Sequence, residues 1–133
     1  MMIDASAIVA IMTGEADGDH LRIRMERATR HITHPVSIWE AAVAYRRKTR
    51  FAPDKTMAHL DEFRLDAGIG LVPIGEAETG RAILAFGLYG HSSGHPAHLN
   101  LGDCFSYAFA EIDPMPLLYK GDDFVHAPLG VSA

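Results

Sequence analysis

An α/β domain with a parallel sheet covered by helices is predicted by three features of the sequence. Short apolar segments alternate with longer ones whose apolar residues recur at helical spacing. At least one helical segment separates each strand from the next, which requires right-handed crossovers and parallel pairing. Acidic residues stand at the ends of the apolar runs, where α/β sheets gather their functional groups.

The elements follow in order. Met1–Asp4 reads as a buried strand, with Ser6 as N-cap of a helix over Ala7–Met12. Glu15–Thr29 is charged, with Leu21, Met25 and Ala28 at helical spacing. His31–His34 is a second strand. Pro35 and Ser37 open a helix running from Ile38 to Lys48, and Pro53 opens another over Lys55–Leu65. Gly68–Ile74 is a strand between turn-forming residues, and Ala77–Tyr89 is a helix. Gly90–His98 is a loop rich in Gly, Ser, His and Pro. Leu101–Glu111 is a helix whose apolar stripe is Phe105, Ala108, Phe109 and Ile112. Pro116–Tyr119 is the last strand.

A chain of 133 residues, 48% hydrophobic, fits one domain over 1–133 with a real core. No apolar run approaches the roughly 20 residues that span a bilayer. The start Met1-Met2-Ile3-Asp4 lacks a basic region and does not read as a signal peptide. Cys104 is the only cysteine, so no internal disulfide forms, and the expected setting is the cytoplasm.

The net charge of −5 is unevenly spread. Eight of the twelve Lys and Arg lie between Arg22 and Arg50, which gives residues 1–50 a net +2 and leaves −7 for the remainder. A polyanion therefore meets a locally basic edge although the chain is acidic.

Four positions carry the chemistry. Asp4 ends the first strand, Glu40 follows Val36-Ser37-Ile38-Trp39, Asp103 opens the apolar stretch Cys104–Ala110, and Asp122-Asp123 follow the last strand. Each alone has a plain structural reading. Asp4 and Asp122-Asp123 suit turns, and Glu40 and Asp103 suit the positive ends of helices. Together, beside buried elements, they describe an acidic pocket, which a divalent cation holds together.

The segments around these acids resemble the PIN-domain ribonucleases, in particular the VapC-type toxins of toxin–antitoxin pairs. Met2-Ile3-Asp4-Ala5-Ser6-Ala7 resembles the first family motif and Ser37-Ile38-Trp39-Glu40-Ala41 the second. Leu99-Asn100-Leu101-Gly102-Asp103-Cys104-Phe105-Ser106-Tyr107-Ala108, the most specific, resembles the third. Pro116-Leu117-Leu118-Tyr119-Lys120-Gly121-Asp122-Asp123-Phe124 resembles the fourth. One departure stands out. Relatives often carry Thr-Asp shortly after the Asp-Phe pair, whereas this chain has Val125-His126-Ala127-Pro128.

The resemblance implies a PIN-like (Rossmann-like) three-layer sandwich with a central parallel sheet. It implies a metal-dependent endoribonuclease in which Mg²⁺ or Mn²⁺ is held by Asp4, Glu40 and Asp103. Asp123 or Asp122 completes the site, Asp123 aligning better, and Ser6 supports a carboxylate or the phosphate. Metal-activated water then cuts RNA, leaving 5′-phosphate and 3′-hydroxyl ends. The implied partners are RNA, a cognate VapB-type antitoxin that inhibits the enzyme, and a second copy in a homodimer, with no membrane. The antitoxin's C-terminal segment would thread a groove lined by the helices within 15–29 and 55–65.

Other residues take lesser roles. His91-x3-His95-x2-His98 has a spacing seen in zinc sites, but the loop has no cysteine and reads instead as polar contacts to RNA or a subunit. His31 and His34 read as structural. Cys104 has no basic partner to activate it. Trp39 reads as core packing. Arg81 and Lys120 are candidates to reach phosphates. A receiver-type signalling domain is disfavoured because no Asp follows the strand at Leu71-Val72. A haloacid-dehalogenase-type phosphohydrolase is disfavoured because Asp4 is followed by Ala5-Ser6 rather than by a second Asp.

Overall fold

Four short strands form one parallel sheet: β1 (Met2–Ile3), β2 (His31–Thr33), β3 (Ile69–Leu71) and β4 (Leu117–Leu118). Their order is β3-β2-β1-β4. Met2 pairs with Ile32 on one side and Leu117 on the other, and His31 pairs with Ile69. The chain thus builds outward from β1 through β2 to β3, then crosses back to place β4 on the opposite side. That reversal opens a crevice at the carboxyl ends of β1 and β4. The computed structural model describes residues 1–129.

Successive strand residues point to opposite faces, and the two faces nucleate separate cores. Met2, Ile32 and Leu117 pack with Ala82 and Ala85 of α5 (Glu76–Tyr89) and Cys104 and Ala108 of α6 (Leu101–Ile112). Ile3, Ile69 and Leu118 pack with Ile8 of α1 (Ala5–Met12), Leu21 of α2 (Gly18–Glu26), Ala41 of α3 (Pro35–Thr49) and Leu60 of α4 (Pro53–Asp66). The result is the expected helix–sheet–helix sandwich. Among the described residues no helix is long and apolar enough to cross a membrane.

Several expectations need correction. Ser6 is not an N-cap. Asp4 caps α1, its carboxylate accepting the Ser6 N–H at 2.9 Å, so the helix starts two residues earlier than expected. The helix expected over Glu15–Thr29 shrinks to Gly18–Glu26. Its start packs on the α1 backbone so tightly that a Cβ at Gly18 would meet the Ala10 carbonyl at 2.7 Å. Trp39 is 67% exposed rather than in the core, because α3 turns Ser37, Ala41 and Tyr45 inward and Trp39 lies on another face. On α6, Ile112 is exposed, and burial extends beyond the expected stripe to Asp103, Cys104, Ser106 and Tyr107. This helix is wrapped by the sheet, α5 and α3, so it buries more than one face.

Candidate active site

Asp4 stands at the carboxyl end of β1, 3% exposed, with both oxygens engaged. Oδ2 accepts from Ser6 N at 2.9 Å and Ser6 Oγ at 2.6 Å, and Oδ1 accepts from Ser106 Oγ at 2.7 Å. The start of α1 adds a favourable dipole. Behind Ser106 lies His34, buried, whose Nε2 is 3.1 Å from Ser106 Oγ. His34 Nδ1 accepts the Ser37 N–H at 3.1 Å, capping α3, which leaves the ring proton on Nε2 to face the serine hydroxyls. Burial pushes the imidazole down to about 4, against the pull of Asp4, and its ring stacks on Phe109 at 5.3 Å. The neutral imidazole thus donates to Ser106, and Ser106 donates to Asp4.

Asp103 enters from the first turn of α6. It forms a reciprocal cap with Asn100: Asn100 N donates to Asp103 Oδ2 at 2.8 Å, and Asp103 N donates to Asn100 Oδ1 at 2.9 Å. Burial pushes its carboxyl up to about 7, opposed by the Asn100 bond and reinforced by Asp4, Asp123 and Glu40. Glu40 comes from α3 and lies over Gly102, where a Cβ would overlap its carboxylate. Burial, then Asp4, pushes Glu40 up to about 7 as well. Asp123, on the segment after β4, is exposed at the rim. Its carboxyl is raised by lost hydration on the pocket side and by Asp4 and Asp122.

These residues share one pocket of about 460 Å³. It is lined by Asp4, Ser6, Glu40, Asp103 and Asp123 and, on the far side, by Glu15, Lys48 and Lys120. Asp122 does not line it. Of the two adjacent acids, the geometry therefore brings only Asp123 to the others. The donor set is all hard oxygen, the chemistry that suits Mg²⁺ or Mn²⁺. Among the described residues no three His, Cys, Asp or Glu groups meet closely enough to hold a metal ion as they stand. The reason is visible in the bonding: Asp4 is turned to its serines and Asp103 to Asn100.

The other candidates lie elsewhere. His95 Nδ1 accepts the Ala97 N–H at 3.2 Å and its ring meets Tyr89 edge-on, while His91 meets Phe86. Both serve the loop. Cys104 is buried, its thiol pushed up to about 11 by burial and Asp103, which keeps it protonated. Arg81 pairs with Glu111 at 3.3 Å, away from the pocket. The structural reading of His34 is met by its cap on α3 and its bond to Ser106. Sequence reasoning missed Ser106, Lys48 and Glu15 as pocket or support residues. A signal existed for two of them. Ser106 is three residues beyond Asp103, and Lys48 is eight beyond Glu40, spacings that share a helix face.

A second concavity, of about 540 Å³, lies where α1, α2 and α4 meet, lined in part by Ile11, Met12, Arg22, Met25, His59 and Phe63. A third, of about 280 Å³, lies between α5 and α6, with Ile83, Phe86, Leu101 and Phe105 on its walls.

Known proteins resemble this chain in sequence and fold. The PIN domain family matches residues 1–129. Ribonuclease VapC42 of Mycobacterium tuberculosis is 36% identical over 97% of this chain and 96% of its own length. Ribonuclease VapC30 of the same organism is 34% identical over 100% of this chain and 98% of its own. The crystal structure of M. tuberculosis VapC20, a sarcin–ricin loop cleaving toxin, superposes with a TM-score of 0.74 at 14% identity. It covers 96% of this chain and 95% of that one, a likeness of fold. With a family match over nearly its whole length and full-length relatives above one-third identity, the chain belongs to the PIN-domain family, among its VapC ribonucleases.

Proposed function

We propose that residues 1–133, acting as one PIN domain in the cytoplasm, are an endoribonuclease toxin that hydrolyses RNA phosphodiesters with Mg²⁺ or Mn²⁺. The observation that carries this reading is the meeting of Asp4, Glu40, Asp103 and Asp123, from four separate segments, around one pocket in a chain whose relatives are named ribonucleases. Carboxylates held together in a partly buried pocket without a cation are costly, as the raised Glu40 and Asp103 register, and a divalent ion relieves that cost.

In this reading Asp4, pinned at both oxygens by Ser6 and Ser106, is the fixed anchor. Glu40, Asp103 and Asp123 would complete the ligand set, and Asp122 does not line the pocket. A bound divalent cation supplies charge neutralisation at the scissile phosphate and lowers the pKa of attacking water. The chain's own residues fix where that chemistry occurs. The Ser6 and Ser106 bonds hold the Asp4 carboxylate in one orientation, and Gly102 leaves room for Glu40 to reach the same pocket.

The partners of this reading are a VapB-type antitoxin and a second copy of the chain. The groove of about 540 Å³ between α2 and α4 suits the antitoxin's C-terminal segment, with Met25 and Phe63 offering apolar contacts and Glu26, Glu62 and Asp66 attracting basic side chains. A basic antitoxin side chain at the carboxylates would compete directly with the cation.

The test is cleavage of total RNA by purified, antitoxin-free protein with Mg²⁺ or Mn²⁺, with EDTA and Asp103→Asn as controls. Discrete fragments lost in both controls support the reading. Folded, metal-loaded protein that cuts no RNA refutes it.

A further inference from the structure

An RNA strand approaching four carboxylates is repelled at every phosphate, and one cation at the pocket centre offsets only the phosphate it touches. Positive charge is needed at the rim, and two lysines stand there. Lys48 and Lys120 line the same pocket as Asp4, Glu40, Asp103 and Asp123. Glu40, Ala44 and Lys48 repeat every four residues along α3, so one helix face carries an acid and, about 12 Å further along the axis, an ammonium. Lys120 is tied to the acids through its backbone. Its N–H donates to Ser6 Oγ at 3.0 Å, and that hydroxyl donates to Asp4.

Both ammonium groups converge on Glu15. Lys48 pairs with Oε1 and Lys120 with Oε2. Lys120 also stands 3.0 Å from Asp17 Oδ1, and Lys48 is 3.4 Å from Thr13 Oγ1. Lys48 is 46% exposed, Lys120 35% and Glu15 22%, so the pairs are half-buried at the surface, with both ammonium groups still reached by solvent and open to exchange. A phosphodiester offers the same acceptor chemistry as the Glu15 carboxylate and adds the release of counterions from the strand.

We propose that Lys48 and Lys120 form a positioning clamp for the RNA backbone at the rim of the acid pocket, with Glu15 as the side chain that holds both ammonium groups until a phosphate displaces it. This rests on the ribonuclease reading and adds the residues that orient the strand and the one that competes with it.

The test uses substitutions that break the same ion pairs from opposite ends. Binding of a fluorescein-labelled single-stranded RNA pool is followed by anisotropy over a range of KCl, with Ca²⁺ in place of Mg²⁺, for wild type, Glu15→Gln, Lys48→Gln, Lys120→Gln and the double lysine variant. Each lysine substitution should weaken binding and lower the slope of log K against log [salt] by about 0.7, and the double variant by about 1.4. Glu15→Gln should tighten binding severalfold and lower the KM for cleavage, because Lys48 loses its carboxylate partner and Lys120 keeps only Asp17. A purely structural ion-pair cluster would make all variants respond in the same direction. Wild-type protein that binds and cuts RNA, with an unchanged slope in the double variant or with Glu15→Gln weakened like the lysine variants, overturns the clamp. Wild-type protein that neither binds nor cuts RNA overturns the ribonuclease reading, and the clamp with it.

Discussion

The Glu40 carboxylate lies directly over the α-carbon of Gly102, with no space for a Cβ between them. This contact lets an acid from α3 reach the first turn of α6, next to Asp103. The glycine is needed for close approach rather than for a left-handed backbone. Gly102→Ala should therefore displace Glu40 while leaving the helix intact. Cleavage is expected to fall by about a hundredfold, the scale of a small misplacement in a catalytic constellation. Stability should change by no more than about 1 kcal/mol, since alanine's better helix propensity offsets part of the displacement. Initial rates and thermal unfolding measure the two effects, and full activity in this variant would remove Glu40 from the mechanism.

Ser106 connects two buried groups, His34 and Asp4, and replacing it by alanine leaves both short of a partner. The expected cost is about 1–3 kcal/mol, read as a lower urea midpoint at unchanged m-value. Cleavage should also drop, because Asp4 loses one of its three fixed donors. A variant as stable as the wild type would mean that water replaces the hydroxyl without penalty.

The sheet and the acids were legible because β1 and β4 lie in short apolar runs and each acid borders such a run: Asp4, Glu40 and Asp123 come after one, and Asp103 opens one. Asp4 and Asp123 flank β1 and β4, neighbours only because the strand order reverses at β1. That adjacency follows from the α/β topology, so the sequence pattern was enough to expect a shared crevice. The supporting contacts were not legible, because they join distant segments through side-chain geometry. His34 and Ser106 lie 72 residues apart, and Lys120 and Glu15 lie 105 apart. Trp39 misled for a related reason. Its apolar neighbours Val36 and Ile38 suggest burial, but the facing of α3 is set by Ala41 against the second core and by Ser37 against His34. Asp4 both lines the acidic pocket and caps α1, and the second role is hidden in the sequence because Ser6 offers an equally plausible cap.

Glu40 and Asp103, each raised to about 7, make the stability of metal-free protein depend on pH. A carboxyl with a raised folded-state pKa binds more protons folded than unfolded between its unfolded value and about 7. Stability from these two groups therefore falls as pH rises through that window and is fully lost above it. His34 works in the opposite direction. With its folded value lowered to about 4, its contribution is complete above about 6.5 and declines as pH falls toward 4. From about pH 6.5 to 7.5 the two carboxyls are opposed by the Met1 amine, which burial and then Arg30 lower from 8.0; two raised carboxyls outweigh one lowered amine, and the melting temperature in EDTA should decline over that interval. Saturating Mg²⁺ or Mn²⁺ should flatten the decline, because the cation favours the ionised forms. A melting temperature independent of both pH and metal in this interval would contradict a coupled acidic site.

The expected homodimer has a candidate surface on α5 and the start of α6. Ile83 is 65% exposed, Leu84 59%, Leu88 61% and Leu101 66%, and Ile83 and Leu101 border the apolar cleft of about 280 Å³ between these helices. An apolar surface of this kind on one side of a small domain marks an interaction site. A two-fold axis through it would pair each patch with its own copy. None of the four pocket acids lies on α5, so the surface can be altered without touching them. Ile83→Glu places a charge at the centre of the patch, where association would have to bury it. The dimer should weaken by about thirtyfold or more, the scale of a central interface residue, while the melting temperature of the separated chain stays close to that of the wild type. Sedimentation velocity over a concentration series measures the shift. Wild type sedimenting as a monomer at all concentrations would rule out the homodimer, and an unchanged dimer in Ile83→Glu would place the interface elsewhere.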